Sequence, residues 1–175
     1  MGPSPNLPRV TLVLGGARSG KSAYAERLAA GGVYLATAAA GDAEMSDRIE
    51  KHKARRGSRW TTVEEPLDIA RVLAEHAAPE RPVVIDCLTL WLSNLMAARR
   101  DWSAAVDALV AMLPKLKGPV VLVSNEVGLG VVPANALARA FADASGVMHQ
   151  RIAAAADRVV FMTAGLASIL KDSRR

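Results

Sequence analysis

Cysteine is nearly absent from this sequence. Cys87 stands alone among 175 residues, so no disulfide forms within the chain. Aromatic residues amount to 4% against 51% hydrophobic residues, which leaves Ala, Val and Leu to do most of the packing. No apolar run approaches the roughly 18 residues that a membrane helix needs, so no helical membrane span is expected. Residues 1–8, Met-Gly-Pro-Ser-Pro-Asn-Leu-Pro, lack the charged-then-apolar order of a secretory signal and read as a loose leader. These absences predict a soluble, cytoplasmic protein. The length predicts a single domain over 1–175 with one core. Acidic side chains are outnumbered, 17 against 22 Lys and Arg, for a net charge of +5. Six bases, Arg48, Lys51, Lys53, Arg55, Arg56 and Arg59, fall within twelve residues. Such a cluster suits nucleic acid or small phosphate-bearing molecules. No RNA- or DNA-binding motif accompanies it, and we expect no nucleic-acid partner.

What is present is a phosphate cradle. Gly15-Gly16-Ala17-Arg18-Ser19-Gly20-Lys21-Ser22 matches G-x-x-x-x-G-K-[ST] in full. It follows the apolar run Val10–Leu14 and precedes a helical stretch beginning at Ser22. Strand, glycine-rich turn and helix form the context in which this motif binds phosphate. Glycines let successive backbone N–H groups point at one anion, and the helix adds its positive end. Lys21 supplies a point charge for the outer phosphates, and the Ser22 hydroxyl can reach a bridging magnesium ion. The chain is therefore expected to bind a nucleoside triphosphate with Mg2+.

Further apolar runs recur between helical stretches: Val33–Ala36, Val83–Asp86, Val120–Ser124 and Val159–Thr163, with a short extra strand at Trp60–Val63. They are largely β-branched with little polar alternation, as in strands covered on both faces. Helices are expected over Ser22–Ala30, Asp42–Arg56, Pro66–His76, Leu88–Ala97, Ala104–Leu113 and Asn135–Ala155. The order is βαβ-like throughout. It predicts an α/β fold, a three-layer P-loop NTPase (RecA-like) with a mostly parallel central sheet.

Two further elements bear on the phosphate site. Asp86 ends the run Val83–Asp86, where a P-loop protein places a magnesium-holding acid, and it is the magnesium candidate; the alternative is a cap on the next helix. Cys87 beside it reads as a small buried residue. Asn125 and Glu126 follow another strand, facing either the ligand crevice or solvent on a Gly/Pro turn. On the helix predicted over 42–56, Met45, Ile49 and His52 share one face, with His52 among Lys51, Lys53, Arg55 and Arg56. Nearby cations favour a neutral imidazole, which is what attack on phosphorus requires. An ordinary helix histidine on a basic surface fits the same spacing. His76 and His149 read as ordinary surface or capping histidines.

The ordered blocks resemble a known family. After the P-loop come Tyr34-Leu35-Ala36-Thr37, then Asp42-Ala43-Glu44-Met45 with Arg48, Ile49 and His52. Asp86 to Leu95, Ser124-Asn125-Glu126-Val127-Gly128 and Gln150 to Asp157 follow. From about residue 10 to 171 the chain is similar to the bifunctional adenosylcobinamide kinase/adenosylcobinamide-phosphate guanylyltransferases of cobalamin biosynthesis. The resemblance implies two reactions. ATP or GTP phosphorylates adenosylcobinamide, and GTP then gives GMP through a guanylyl-histidine to the cobinamide phosphate, releasing pyrophosphate and forming adenosylcobinamide-GDP. It implies that His52 carries GMP, and that Gly15 to Ser22, Thr37, Ala38, Lys53, Ala54, Arg55, Arg56, Glu64 and Asp86 line the nucleotide site. Glu64 would accept from guanine, and Ser22 and Asp86 would hold Mg2+. It further implies a homo-oligomer, a trimer. Some relatives carry two adjacent histidines where this chain has Lys51-His52. The rival readings are a monofunctional small-molecule P-loop kinase with a structural His52, and a nucleotide-gated regulator that binds RNA or DNA.

Overall fold

The computed structural model describes residues 7–38 and 57–173. The expected helix over 42–56, with His52, lies outside the described residues. The β-branched runs form one seven-stranded sheet in the order β3-β2-β4-β5-β1-β6-β7. These strands are β1 (Val10–Gly15), β2 (Gly32–Ala36), β3 (Trp60–Glu64), β4 (Val83–Asp86), β5 (Val120–Asn125), β6 (Arg158–Thr163) and β7 (Leu166–Asp172). Neighbours from β3 through to β6 pair in parallel, while β7 returns antiparallel to β6.

Five described helices cover the sheet: α1 (Lys21–Ala29), α2 (Ile69–His76), α3 (Leu88–Ala97), α4 (Trp102–Met112) and α5 (Ala136–Ala155). Alternation along the strands divides the core in two. Leu12, Leu35, Ile85 and Leu122 face Leu73 of α2, Trp91 of α3, Leu109 of α4 and Met148 of α5. Val13, Tyr34, Val84 and Val121 face the other way, onto Ala25 and Ala29 of α1. Each such large side chain, once buried, contributes about 1.5–3 kcal/mol. Helices on both faces of a mostly parallel sheet make the expected three-layer architecture.

Strand order locates the ligand crevice. The chain runs from β1 out to β2 and β3, works back through β4 and β5, and only then crosses β1 to reach β6. The order thus switches direction at β1, where open α/β sheets bind ligands beyond the strand carboxyl ends.

Several expected boundaries move for local reasons. The helix expected from Pro66 starts at Ile69. The Glu65 carboxylate accepts from the Leu67 and Asp68 N–H groups at 3.0 and 2.9 Å and holds a turn there. The helix expected from Ala104 starts at Trp102, because the Asp101 carboxylate caps it through Ala104 N at 3.0 Å. β7 had no counterpart in the expected elements, and its Leu166, Ile169 and Leu170 side chains are exposed.

Candidate active site at the carboxyl ends of the strands

The P-loop closes on itself around close backbone approaches. A Cβ on Gly15 would fall 2.4 Å from the Met162 carbonyl oxygen, so β1 can lie beside β6 here only with glycine. Gly20 caps α1 with φ +95°, a left-handed conformation that glycine adopts without steric cost. No side chain caps this helix end. The β6–β7 turn also braces the loop, since Gly165 N donates to the Ser19 carbonyl at 3.0 Å.

Lys21 is 6% exposed, and its ammonium donates to the Gly16 carbonyl at 2.5 Å, with Ser19 Oγ at 3.4 Å. Burial lowers its pKa from the ordinary lysine value, and the charges of Asp86 and Cys87 pull it back up. Lys21 and Asp86 thus feel each other across the intervening strand β5. Ser22 lies in the first turn of α1, half-buried. Ala17 and Arg18 are exposed on the loop, Arg18 with φ 55°.

Asp86 does not cap α3. The cap position belongs to Cys87, without a side-chain capping bond, and Asp86 Oδ2 instead accepts from the Tyr34 hydroxyl at 2.5 Å. Thr37 holds the next residue. It is fully buried, its hydroxyl donates to Cys87 O at 2.7 Å and accepts from Cys87 N at 2.9 Å. Cys87 is buried, and burial, followed by the Asp86 charge, pushes its thiol pKa up. It is a small buried residue, as expected from sequence. Asn94 of α3 then ties two loops together, donating to Thr37 O at 2.8 Å and Pro66 O at 3.0 Å.

Asn125 turns inward, its amide donating to Thr89 Oγ1 at 3.2 Å. Glu126 reaches the P-loop strand, with its N–H on Gly15 O at 2.9 Å. Its carboxylate accepts from Gly128 N at 2.6 Å and lies 3.7 Å from His149 Nδ1. His149 corrects a sequence expectation. It is no surface histidine: only 6% is exposed, and Nε2 sits 2.7 Å from Ser124 Oγ. Burial lowers its pKa, against the opposing pull of Glu126. The helical period puts residue 149 on the same side as Ala144, Ser145, Met148 and Ile152, all buried.

A profile described as cobinamide kinase / cobinamide phosphate guanyltransferase matches residues 11–170. The chain belongs to this family. It is 51% identical over 168 residues to the "bifunctional adenosylcobalamin biosynthesis protein CobP" of Pseudomonas aeruginosa PAO1, covering 91% of this chain and 96% of that protein. It is 37% identical to the protein of the same description, CobU, of Salmonella typhimurium LT2, covering 91% of this chain and 98% of that one. Among solved structures, the P4 protein of bacteriophage phi6 in complex with ADP superposes with a TM-score of 0.54 at 14% identity. That match covers 96% of this chain and 60% of the phage chain, and it bears on the fold alone.

For a cobinamide kinase/guanyltransferase the described residues divide into two groups. The P-loop, Asp86, Asn125 and Glu126 meet at the ends of β1, β4 and β5. Thr37 and Ala38 follow β2 at the same end of the sheet. Glu64 ends β3 opposite Ala36, four strand spacings or roughly 19 Å from β1, at the same end of the sheet. His52, Lys53, Ala54, Arg55 and Arg56 lie outside the described residues. Tyr34, Thr89, Asn94 and His149 went unrecognised as site-supporting residues in sequence. Asn94 carried one signal, an amide side chain in the Leu- and Trp-rich stretch Leu88–Leu95.

The residues present fit magnesium. Ser22 and Asp86 offer hard oxygen donors, and the described residues hold no group of three or more His, Cys, Asp or Glu able to cage a metal. Magnesium is commonly held by one or two side chains, with substrate phosphates and waters completing its shell.

Proposed function

We propose that this protein phosphorylates the aminopropanol hydroxyl of adenosylcobinamide with ATP or GTP and then guanylylates the product through His52. The observation that carries this reading is a complete P-loop with a buried Lys21, and Asp86 at the end of β4, in a chain of this family.

In the first reaction the P-loop amides and Lys21 hold the triphosphate. Lys21 neutralises charge on the γ-phosphoryl group as the substrate hydroxyl oxygen forms its bond to phosphorus and the β–γ bridge breaks. Ser22 and Asp86 would hold Mg2+, which would offset the charge of the phosphates. In the second reaction the neutral His52 imidazole attacks the α-phosphorus of GTP. A P–N bond forms, the α–β P–O bond breaks, and pyrophosphate leaves. A phosphate oxygen of the cobinamide phosphate then attacks that phosphorus, the P–N bond breaks, and adenosylcobinamide-GDP forms. Splitting the transfer in two lets one cradle serve both partners. Lys53 to Arg56 would meet the phosphates, and Glu64 the guanine N1 and N2 donors.

We also read the protein as a homotrimer working in the cytoplasm, with the family resemblance as support; no described helix is long and apolar enough to cross a membrane. Incubation with α-labelled GTP and Mg2+ should leave acid-labile, base-stable label on the wild type. Equal labelling of His52→Asn would refute the histidine intermediate and leave a monofunctional kinase.

A further inference from the structure

The Asp86 carboxylate is held from the neighbouring strand β2 by Tyr34, and Cys87 beside it is held by Thr37, just past the end of that strand. In β2, Ala36 pairs with Asp86 and Tyr34 with Val84. Residues two apart in a strand share a face, so Tyr34, Ala36, Val84 and Asp86 all point toward α1. Ala36 has only a methyl group, which leaves the Tyr34 phenol room to reach past it to Asp86. The resulting O–H···O contact of 2.5 Å has the length of a charge-assisted bond to a carboxylate. Tyr34 is 4% exposed, and its ring meets Trp60 of β3 edge-on at 6.1 Å between centroids. The phenol is thus clamped before it touches Asp86. Thr37 fixes the backbone just beyond, through both polar groups of Cys87. The bond from Tyr34 falls on Oδ2 of the Asp86 carboxylate.

We propose that Tyr34 is a positioning residue for the divalent cation of the bound triphosphate. It occupies Oδ2 of Asp86 and presents Oδ1 to the cation. A free carboxylate rotates about χ2 and shares itself among solvent and neighbouring cations such as Lys21. Tyr34 removes that freedom, much as outer partners orient metal ligands elsewhere. The inference rests on the proposed magnesium–triphosphate site. Because both reactions use that site, Tyr34 serves both equally and has no part in choosing the acceptor.

The test is Mn2+ binding to the full chain with GTP, read by electron paramagnetic resonance, beside metal-free GTP binding by calorimetry. Tyr34→Phe keeps the ring against Trp60 and removes only the hydroxyl. It should weaken Mn2+ in the ternary complex about tenfold or more while metal-free GTP affinity stays within about twofold. Unchanged Mn2+ affinity, or an equal loss of metal-free GTP affinity, would overturn the assignment. If wild type itself gains no Mn2+ site with GTP, the magnesium–triphosphate reading fails as well. A second readout uses the wild-type fold. With 3-fluorotyrosine at Tyr24 and Tyr34, the two tyrosines of the chain, and Tyr24→Phe for assignment, Mg2+ added to the GTP complex should shift the Tyr34 fluorine resonance. An unmoved resonance contradicts the proposal.

Discussion

His149 Nε2 lies 2.7 Å from Ser124 Oγ, and both side chains are buried where α5 crosses the end of β5. The next contact outward, from Nδ1 to Glu126 at 3.7 Å, leads to the residue whose N–H holds Gly15 of the P-loop. Replacing His149 with Phe keeps a flat ring but strands the serine hydroxyl. We expect a loss of about 1–3 kcal/mol in urea unfolding, the usual penalty for a buried polar group left unpaired.

The same histidine makes stability depend on pH. Burial holds its pKa below the ordinary 6.5, so the unfolded chain takes up a proton that the fold refuses. Its contribution is full above about pH 6.5 and falls as pH drops below that value. Unfolding midpoints measured from pH 8 to pH 5 should decline more steeply for wild type than for His149→Asn, which cannot titrate. Parallel curves would exclude His149 as the source.

Thr37 is expected to act on Asp86 through Cys87. Thr37→Val preserves shape but removes the partner of a buried N–H and a buried carbonyl. We predict a destabilisation of about 1–3 kcal/mol or more in denaturant titration. Thr37→Ser should recover most of it, since it restores the hydroxyl.

Lys21 illustrates a conflict between stability and function. Its ammonium is desolvated on the P-loop, so the charge opposes folding. Lys21→Met should leave the urea midpoint unchanged or raise it. Turnover of adenosylcobinamide with ATP should fall about 10²–10³-fold, the scale for removing one group that stabilises developing charge. Matching losses of stability and activity would contradict a catalytic role.

The parts legible in sequence are those whose chemistry is local. The P-loop could be read because strand, glycines, lysine and helix are contiguous. Val83–Asp86 and Leu88–Ala97 emerged with the bounds expected from hydrophobic patterning. What escaped is what pairs distant segments. Tyr34 and Asp86 are 52 residues apart, and only the β2–β4 register brings them together. His149 looked polar because Gln150 and Arg151 follow it, yet helical phase turns it inward with Met148 and Ile152. β7 was missed because its exposed Leu and Ile side chains show no alternation. The Asp86 alternatives were separable only by geometry, which gives the cap to Cys87 and the carboxylate to Tyr34.

The central claim is that one P-loop serves two transfers and that His52 is needed for the second alone. Mass spectrometry of products from adenosylcobinamide with ATP and GTP tests it directly. Wild type should form the phosphate and then the GDP derivative, while His52→Asn should accumulate the phosphate and stop. A GDP derivative from the variant, or loss of the phosphate product as well, would contradict the account.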